Sequence, residues 1–177
     1  AKPELQYLLA NLTPHLKADA DIVLVGEKKC GIKSVSSLLE AYSVRSNMID
    51  SAKHCSVIYA QLSKTVKPFV EQNWIKDYQI NLNDISLTIS SLPGVFSFGE
   101  LDNGSELLLN NLPEQLTGAG LDFGCGVART AILMEEFGIE SYGVDISGNA
   151  IKKGKDNAAI LGHEALSARL ETIDSNN

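Results

Sequence analysis

The sequence predicts an α/β fold whose second half winds a mostly parallel sheet and leaves it unfinished. Two observations carry this. Apolar runs of strand length alternate with stretches of helical periodicity through both halves of the chain. In the second half, one strand runs directly into a glycine-rich turn that opens a helix, and the next strand ends on an acid. At 177 residues the chain holds one ample domain or two cramped ones.

The first helix is expected over residues 4–16, where Leu5, Leu8, Leu9, Leu12 and Leu16 recur at helical spacing. The apolar run Asp21–Gly26 has the pattern of a buried strand. Val35, Leu38, Leu39 and Tyr42 predict an amphipathic helix over 33–43, and Cys55–Ala60 reads as another strand. From Lys64 to Trp74 this rhythm breaks, around Pro68. Residues 64–78 are therefore read as a linker between a first domain, 1–63, and a second, 79–177.

Ile80, Leu82, Ile85, Leu87 and Ile89 alternate about Asn83-Asp84, which predicts a hairpin with a two-residue turn, ended by Pro93-Gly94. Leu101–Leu112 reads as a short helix with Pro113 beyond it. Gly120–Phe123 is a strand, Val127–Phe137 a helix closed near Gly138, and Ser141–Ile146 a strand. Ser147–Leu161 follows as a helix, with Ser147 at its N-cap and Gly162 past its end. Ala168–Ile173 is the last strand expected, reaching Asp174. This strand–helix–strand–helix–strand order opens a Rossmann-like sheet, with about three strands where a complete sheet has more. An unfinished sheet has an exposed edge, which predicts self-association through it.

Composition narrows the function classes. No apolar run approaches the ~20 residues that span a bilayer, and Ala1-Lys2-Pro3-Glu4 lacks a signal pattern, so no membrane partner is expected. Cys30, Cys55 and Cys125 are odd in number and far apart, and His15, His54 and His163 are dispersed. No disulfide framework and no metal site is expected, and a cytoplasmic location fits. The net charge is −7, where a dedicated nucleic-acid binder shows a basic face. Any RNA contact must be local or come from sequence outside this chain.

The central motif is Leu121-Asp122-Phe123-Gly124-Cys125-Gly126-Val127-Ala128. Gly124 and Gly126 permit positive φ and close approach of a ligand to the backbone. Asp145, at the end of the next strand, can accept both hydroxyls of a ribose. A dinucleotide fingerprint would need glycine where Arg129 stands. The alternative, acid-x-Gly-x-Gly-x-Gly, is the S-adenosylmethionine pattern, matched by Asp122, Gly124 and Gly126 with Ala128 in the last place. The leading acid has a chemical reason. S-adenosylmethionine carries an ammonium and a sulfonium, which a carboxylate attracts, whereas it would repel a pyrophosphate. Asp174 is a candidate acceptor for the adenine amino group, or else part of a frayed tail.

The segments Ser91-Leu-Pro-Gly-Val-Phe-Ser97, Leu101-Asp-Asn-Gly-Ser105 and Leu107-Leu-Leu109, joined to Leu121–Gly126, resemble the bacterial ribosomal RNA small subunit methyltransferase C family. Lys2-Pro3-Glu4, Val25-Gly26-Glu27, Gly31 with Ser34, and Asp50-Ser-Ala52 with Cys55 extend the resemblance over the first half. It implies an incomplete class I methyltransferase sheet of Rossmann-like type, preceded by part of a degenerate methyltransferase-like domain. The implied activity is S-adenosylmethionine-dependent methylation of the exocyclic N2 of a guanine in 16S ribosomal RNA. The implied partner is that RNA, or the small ribosomal subunit, met by the full-length enzyme.

By the same resemblance, Asp122 and the Gly124-Cys125-Gly126 backbone hold the methionine end of the cofactor, and Asp102, Gly104 and Ser105 line it. Asp145 holds the ribose, Ile146 packs on the adenine, and Phe96 and Ser97 close the pocket near the target base. Each has a plainer reading. Phe96 can be a core aromatic, Asp102 and Ser105 a helix cap, and Ile146 is buried either way. Arg129 reads as a solvated helix residue, as do Lys152, Lys153 and Lys155, while Trp74 and Tyr78 read as domain packing.

One departure bears on activity. The family's catalytic loop is Asn-Pro-Pro-Phe, and the only prolines here are Pro3, Pro14, Pro68, Pro93 and Pro113. The catalytic residues are therefore unassigned, and the chain is expected to be the middle of a longer enzyme that binds cofactor without turnover. Two rival readings stay open: a methyltransferase-like scaffold without catalysis, and a nicotinamide-dependent oxidoreductase, against which Arg129 and Asp122 speak.

Overall fold

A computed structural model describes residues 2–63, 67–113 and 117–174. They fall into two units, Ala1–Asn73 and Trp74–Asn177. Of the stretch expected as linker, residues 64–66 lie outside the described residues, and Lys76-Asp77-Tyr78 already belong to a strand.

The first unit is built from α1 (Lys2–Leu12), β1 (Asp21–Glu27), α2 (Val35–Leu39), β2 (Ser43–Ala52) and β3 (Cys55–Leu62). Its sheet is antiparallel, with β3 inserted between β1 and β2. On one face of β3, Ile58, Ala60 and Leu62 are buried, and Leu9, Ile32, Val35 and Leu39 gather with Ile58 and Ala60 into the core. Each such valine, leucine or isoleucine side chain contributes about 1.5–3 kcal/mol when fully buried.

Several expectations are corrected here. The helix expected over 33–43 is only Val35–Leu39, preceded by a 3-10 turn at Ile32–Ser34, and Ser43 already starts a strand. The first helix ends at Leu12, because Pro14 passes the chain into a 3-10 turn. β1 is not a buried strand: Ile22 and Leu24 face the core, whereas Val23 and Val25 on the alternate face are exposed.

The second unit opens with the hairpin β4 (Lys76–Leu82) and β5 (Ile85–Ser91), which turns at Asn83-Asp84 with Asn83 at φ 52. Then come α3 (Asn103–Asn110), β6 (Ala119–Phe123), α4 (Arg129–Glu136), β7 (Glu140–Asp145), α5 (Gly148–Ile160), α6 (Glu164–Ala168) and β8 (Leu170–Thr172). β6, β7 and β8 form a parallel sheet in that order. Ser141 and Gly143 of β7 are buried, and the Ser141 hydroxyl donates to the Ala131 carbonyl of α4 at 2.8 Å. Leu121, Phe123 and Tyr142, in the alternate register, are exposed, so among the described residues the helices cover one face. The five-residue α6 was not expected; its only buried side chain is Leu166, too little periodicity to read.

Candidate functional site

The glycine-rich turn is pinned at its start by two bonds to one acceptor. The amides of Gly124 and Cys125 both donate to the Val144 carbonyl, at 2.8 and 3.0 Å, so the end of β6 is closed onto β7. Gly124, Gly126 and Ala128 all have positive φ, at 80, 55 and 64. Ala128 thus adopts the conformation of the glycine it replaces, which costs an L-residue about 1–2 kcal/mol. Its amide donates to the Cys125 carbonyl at 2.9 Å, and its carbonyl accepts the first helical bond from Ile132.

α5 backs the turn closely because it carries a glycine. A Cβ on Gly154 would stand 3.1 Å from the Ala128 Cβ and 3.2 Å from the Val127 carbonyl carbon. Next to it, buried Asn157 donates to the Ser90 and Val127 carbonyls at 2.9 and 3.1 Å and accepts from the Ser90 amide at 3.0 Å. One side chain ties the hairpin, the helix and the turn together.

Three acids converge around the turn. Asp145 accepts the Gly126 amide on Oδ2 at 2.8 Å and the Ser147 amide on Oδ1 at 2.7 Å. Asp102 caps α3, accepting the Ser105 amide at 2.9 Å and the Ser105 hydroxyl at 2.7 Å. Burial alone would push the Asp102 carboxyl up, but the Ser105 bonds and the Arg129 charge outweigh it and hold it below its ordinary value. Asp122 is the unusual one. Its Oδ2 is buried with no hydrogen-bond partner among the described residues. Burial pushes its carboxyl above the ordinary range, against the opposing pull of the Ala131 amide and Arg129.

Arg129 is not a solvated helix residue. It is 4% exposed, and its guanidinium donates to the Phe96 carbonyl at 3.2 Å and the Glu100 carbonyl at 3.1 Å. It also lies 3.5 Å from Asp102 Oδ2 and faces the Tyr78 ring. Lys153 is likewise buried, paired with Asp156 at 2.9 Å, rather than part of a solvated cluster. Ile146 is corrected in the other direction: it is 73% exposed. So is Phe96, at 74%, which removes the core reading for that ring. Cys125 is buried, and burial, with the charges of Asp122 and Asp145, pushes its thiol up to about 12.

These groups surround a cleft of about 510 Å³. Asp122, Gly124, Cys125, Gly126, Asp145 and Ile146 line it, together with Phe96, Asp102, Gly104 and Ser105. Ser97 and Asp174 do not line it. The walls also include Arg129, Thr130, Leu108 and Phe123, which sequence reasoning did not single out as site residues. Leu108 was legible in principle, lying one helical turn from Ser105 on α3. Among the described residues, no cluster of His, Cys, Asp or Glu has the makings of a metal site, and no helix is long and apolar enough to cross a membrane.

Known proteins give this geometry a context. The family described as methyltransferase small domain N-terminal matches residues 1–78, and the methyltransferase small domain matches residues 86–176. Proteins named ribosomal RNA small subunit methyltransferase C are similar to the chain. That of Psychromonas ingrahamii is 55% identical, over 88% of this chain and 45% of its own length. Those of Aeromonas hydrophila and Vibrio parahaemolyticus are 42% and 41% identical, over 92% and 98% of this chain and 48% and 50% of theirs. The chain thus spans about half the length of the curated relatives it matches. Among solved structures, a T. thermophilus 16S rRNA N2 methyltransferase in complex with AdoMet and guanosine shares the fold. Its TM-score is 0.79 at 20% identity, over 97% of this chain and 46% of that one. The chain belongs to the methyltransferase small domain family.

Proposed function

We propose that this chain forms the S-adenosylmethionine site of an enzyme that methylates the exocyclic N2 of a guanine in 16S ribosomal RNA. The observation that carries the reading is the buried, unpartnered Oδ2 of Asp122 in a cleft with three carboxylates and one cationic side chain, Arg129. Such a wall favours a cationic ligand and opposes a pyrophosphate. The cleft volume falls within the ~300–1,000 Å³ usual for small-molecule sites. The names of the relatives and the guanosine complex of the structural neighbour supply the RNA half of the reading.

Asp122 and the Gly124-Cys125-Gly126 backbone hold the methionine end, where the ammonium satisfies the orphaned oxygen. Asp102, Gly104 and Ser105 line that end. Asp145 keeps a free lone pair on each oxygen after accepting the Gly126 and Ser147 amides, enough for two ribose hydroxyls. The exposed Ile146 side chain covers the adenine, and the exposed Phe96 ring stands ready to stack on the target base. Bound S-adenosylmethionine supplies a sulfonium methyl open to direct displacement. The weakly nucleophilic guanine amino group leaves most of the rate to positioning.

The chain contains no Asn-Pro-Pro-aromatic sequence to hold that amino group, so by itself it binds cofactor without turnover. The same absence favours, as a second reading, a methyltransferase-like scaffold. In this proposal residues 1–63 are part of a degenerate methyltransferase-like domain, the linker that follows ends before β4 begins at Lys76, and the location is cytoplasmic. Self-association through an exposed edge of the β6–β7–β8 sheet belongs to the same proposal. Equilibrium dialysis with labelled S-adenosylmethionine, followed by an assay on 16S RNA, tests these points. Binding without methyl transfer is expected. Transfer by this chain would refute the proposed lack of turnover, and absence of binding would refute the cofactor site.

A further inference from the structure

Arg129 stands at the first position of α4, where the helix dipole disfavours a cation, and it is buried there. Its surroundings offset this. The two carbonyls that accept from its guanidinium, those of Phe96 and Glu100, and the Asp102 carboxylate that pairs with it lie on one irregular segment about thirty residues earlier in the chain. That segment has other ties as well: the Glu100 amide donates to the Ser97 carbonyl at 3.3 Å, and the Lys76 ammonium lies 5.8 Å from the centre of the Phe98 ring. Val95 bonds back to the Leu92 carbonyl, and Gly99 donates to the buried Ser91 hydroxyl at 2.8 Å. Between these anchors the chain passes through Ser97 at φ 55, a conformation L-residues seldom adopt, and it carries the Phe96 ring out to the cleft.

We propose that Arg129 is a positioning residue: by clasping the Phe96 and Glu100 carbonyls together with Asp102, it fixes the 95–102 segment against the glycine-rich turn and sets where the Phe96 ring stands. This inference rests on the reading of the cleft as a methyl-transfer site, since there Phe96 meets the target base. The role requires the guanidinium shape. Two diverging carbonyls and a carboxylate need donors spread in a rigid plane, which a lysine ammonium lacks.

The test uses the whole chain as wild type, Arg129→Lys and Arg129→Met, with amide hydrogen exchange and a fluorine label on Phe96. Loss of the hydrogen bonds from this charged donor implies at least about a tenfold rise in exchange for the bonded Gly99 and Glu100 amides in both variants. The β6 and β7 amides keep their wild-type protection, and the Phe96 resonance broadens or splits. A rise spread evenly over the unit would mean a merely structural role and would overturn the proposal. Rescue of the segment by lysine would overturn it too, by showing that charge alone suffices. These readouts need no ligand. A parallel titration of wild type with S-adenosylmethionine therefore reports separately on the cofactor reading.

Discussion

Asp145 and Gly126 are joined by a 2.8 Å hydrogen bond, from the Gly126 amide at the heart of the turn to the carboxylate that ends β7. The other Asp145 oxygen holds the Ser147 amide at the start of α5. One acid thus fixes the turn and the next helix before any ligand arrives. Asp145→Ala leaves both amides without that acceptor, and the loss of such charge-assisted bonds costs about 1.5–3 kcal/mol. The expected result is S-adenosylmethionine affinity lower by about ten- to a hundredfold, measured by calorimetric titration, together with a lower melting temperature.

Gly154→Ala should destabilise the protein although it improves helix propensity. An alanine in an exposed helix interior gains about 1 kcal/mol over glycine. Here the new methyl meets the buried backbone of Val127 and the Ala128 Cβ at 3.1–3.2 Å. Overpacking of this kind costs about 1–3 kcal/mol. Urea denaturation is expected to show a net loss, with weaker cofactor binding because the turn is displaced. A gain in stability would show that α5 does not press on the turn.

Asp122 is expected to trade stability for binding. Its folded-state pKa lies above its ordinary value, chiefly through burial. Between the two values the folded state binds more protons than the unfolded state, so stability falls as pH rises through that window and stays at the lower level above it. Asp122→Asn removes this penalty. The variant should melt higher than wild type at neutral pH, and the difference should shrink once the pH drops below the ordinary carboxylate range. It should also bind S-adenosylmethionine much more weakly. Wild-type affinity should itself decline as the pH falls toward the raised Asp122 value, because the protonated acid no longer attracts the ammonium. Thermal melts and titrations across that pH range check both signs.

The cysteines should differ sharply in reactivity. Cys30 is exposed, whereas the Cys125 thiol is buried and pushed up to about 12. Iodoacetamide near neutral pH is expected to modify Cys30 and spare Cys125, as peptide mass spectrometry would show. Early labelling of Cys125 would mean that the turn opens readily.

The glycine-rich turn and its two flanking acids were legible in the sequence because their chemistry is local. Gly124 and Gly126 take the positive φ their identity invites, and Asp145 follows at the end of the next strand. β2 was not legible. Arg45, Ser46, Asn47, Asp50 and Ser51 break any apolar alternation, and irregularities beside Val44 and Ile49 shift its register. Its turn at Lys53-His54 has positive φ at both residues without the glycine or asparagine that usually announces it. Arg129 misled for a related reason. A charge on a helix reads as solvated, and its partners, Phe96, Glu100 and Asp102, lie too far back in the chain for any periodicity to reveal. Ile146 misled because an apolar side chain was assumed to be buried, when it stands at the rim of the cleft.

The most direct measurement is calorimetric titration of the wild-type chain with S-adenosylmethionine, with NADH titrated in parallel. Saturable one-to-one binding of S-adenosylmethionine, and none of NADH, is the expected result. Failure to bind S-adenosylmethionine, whether or not NADH binds, would contradict the assignment of the Asp122–Asp145 cleft as a cofactor site.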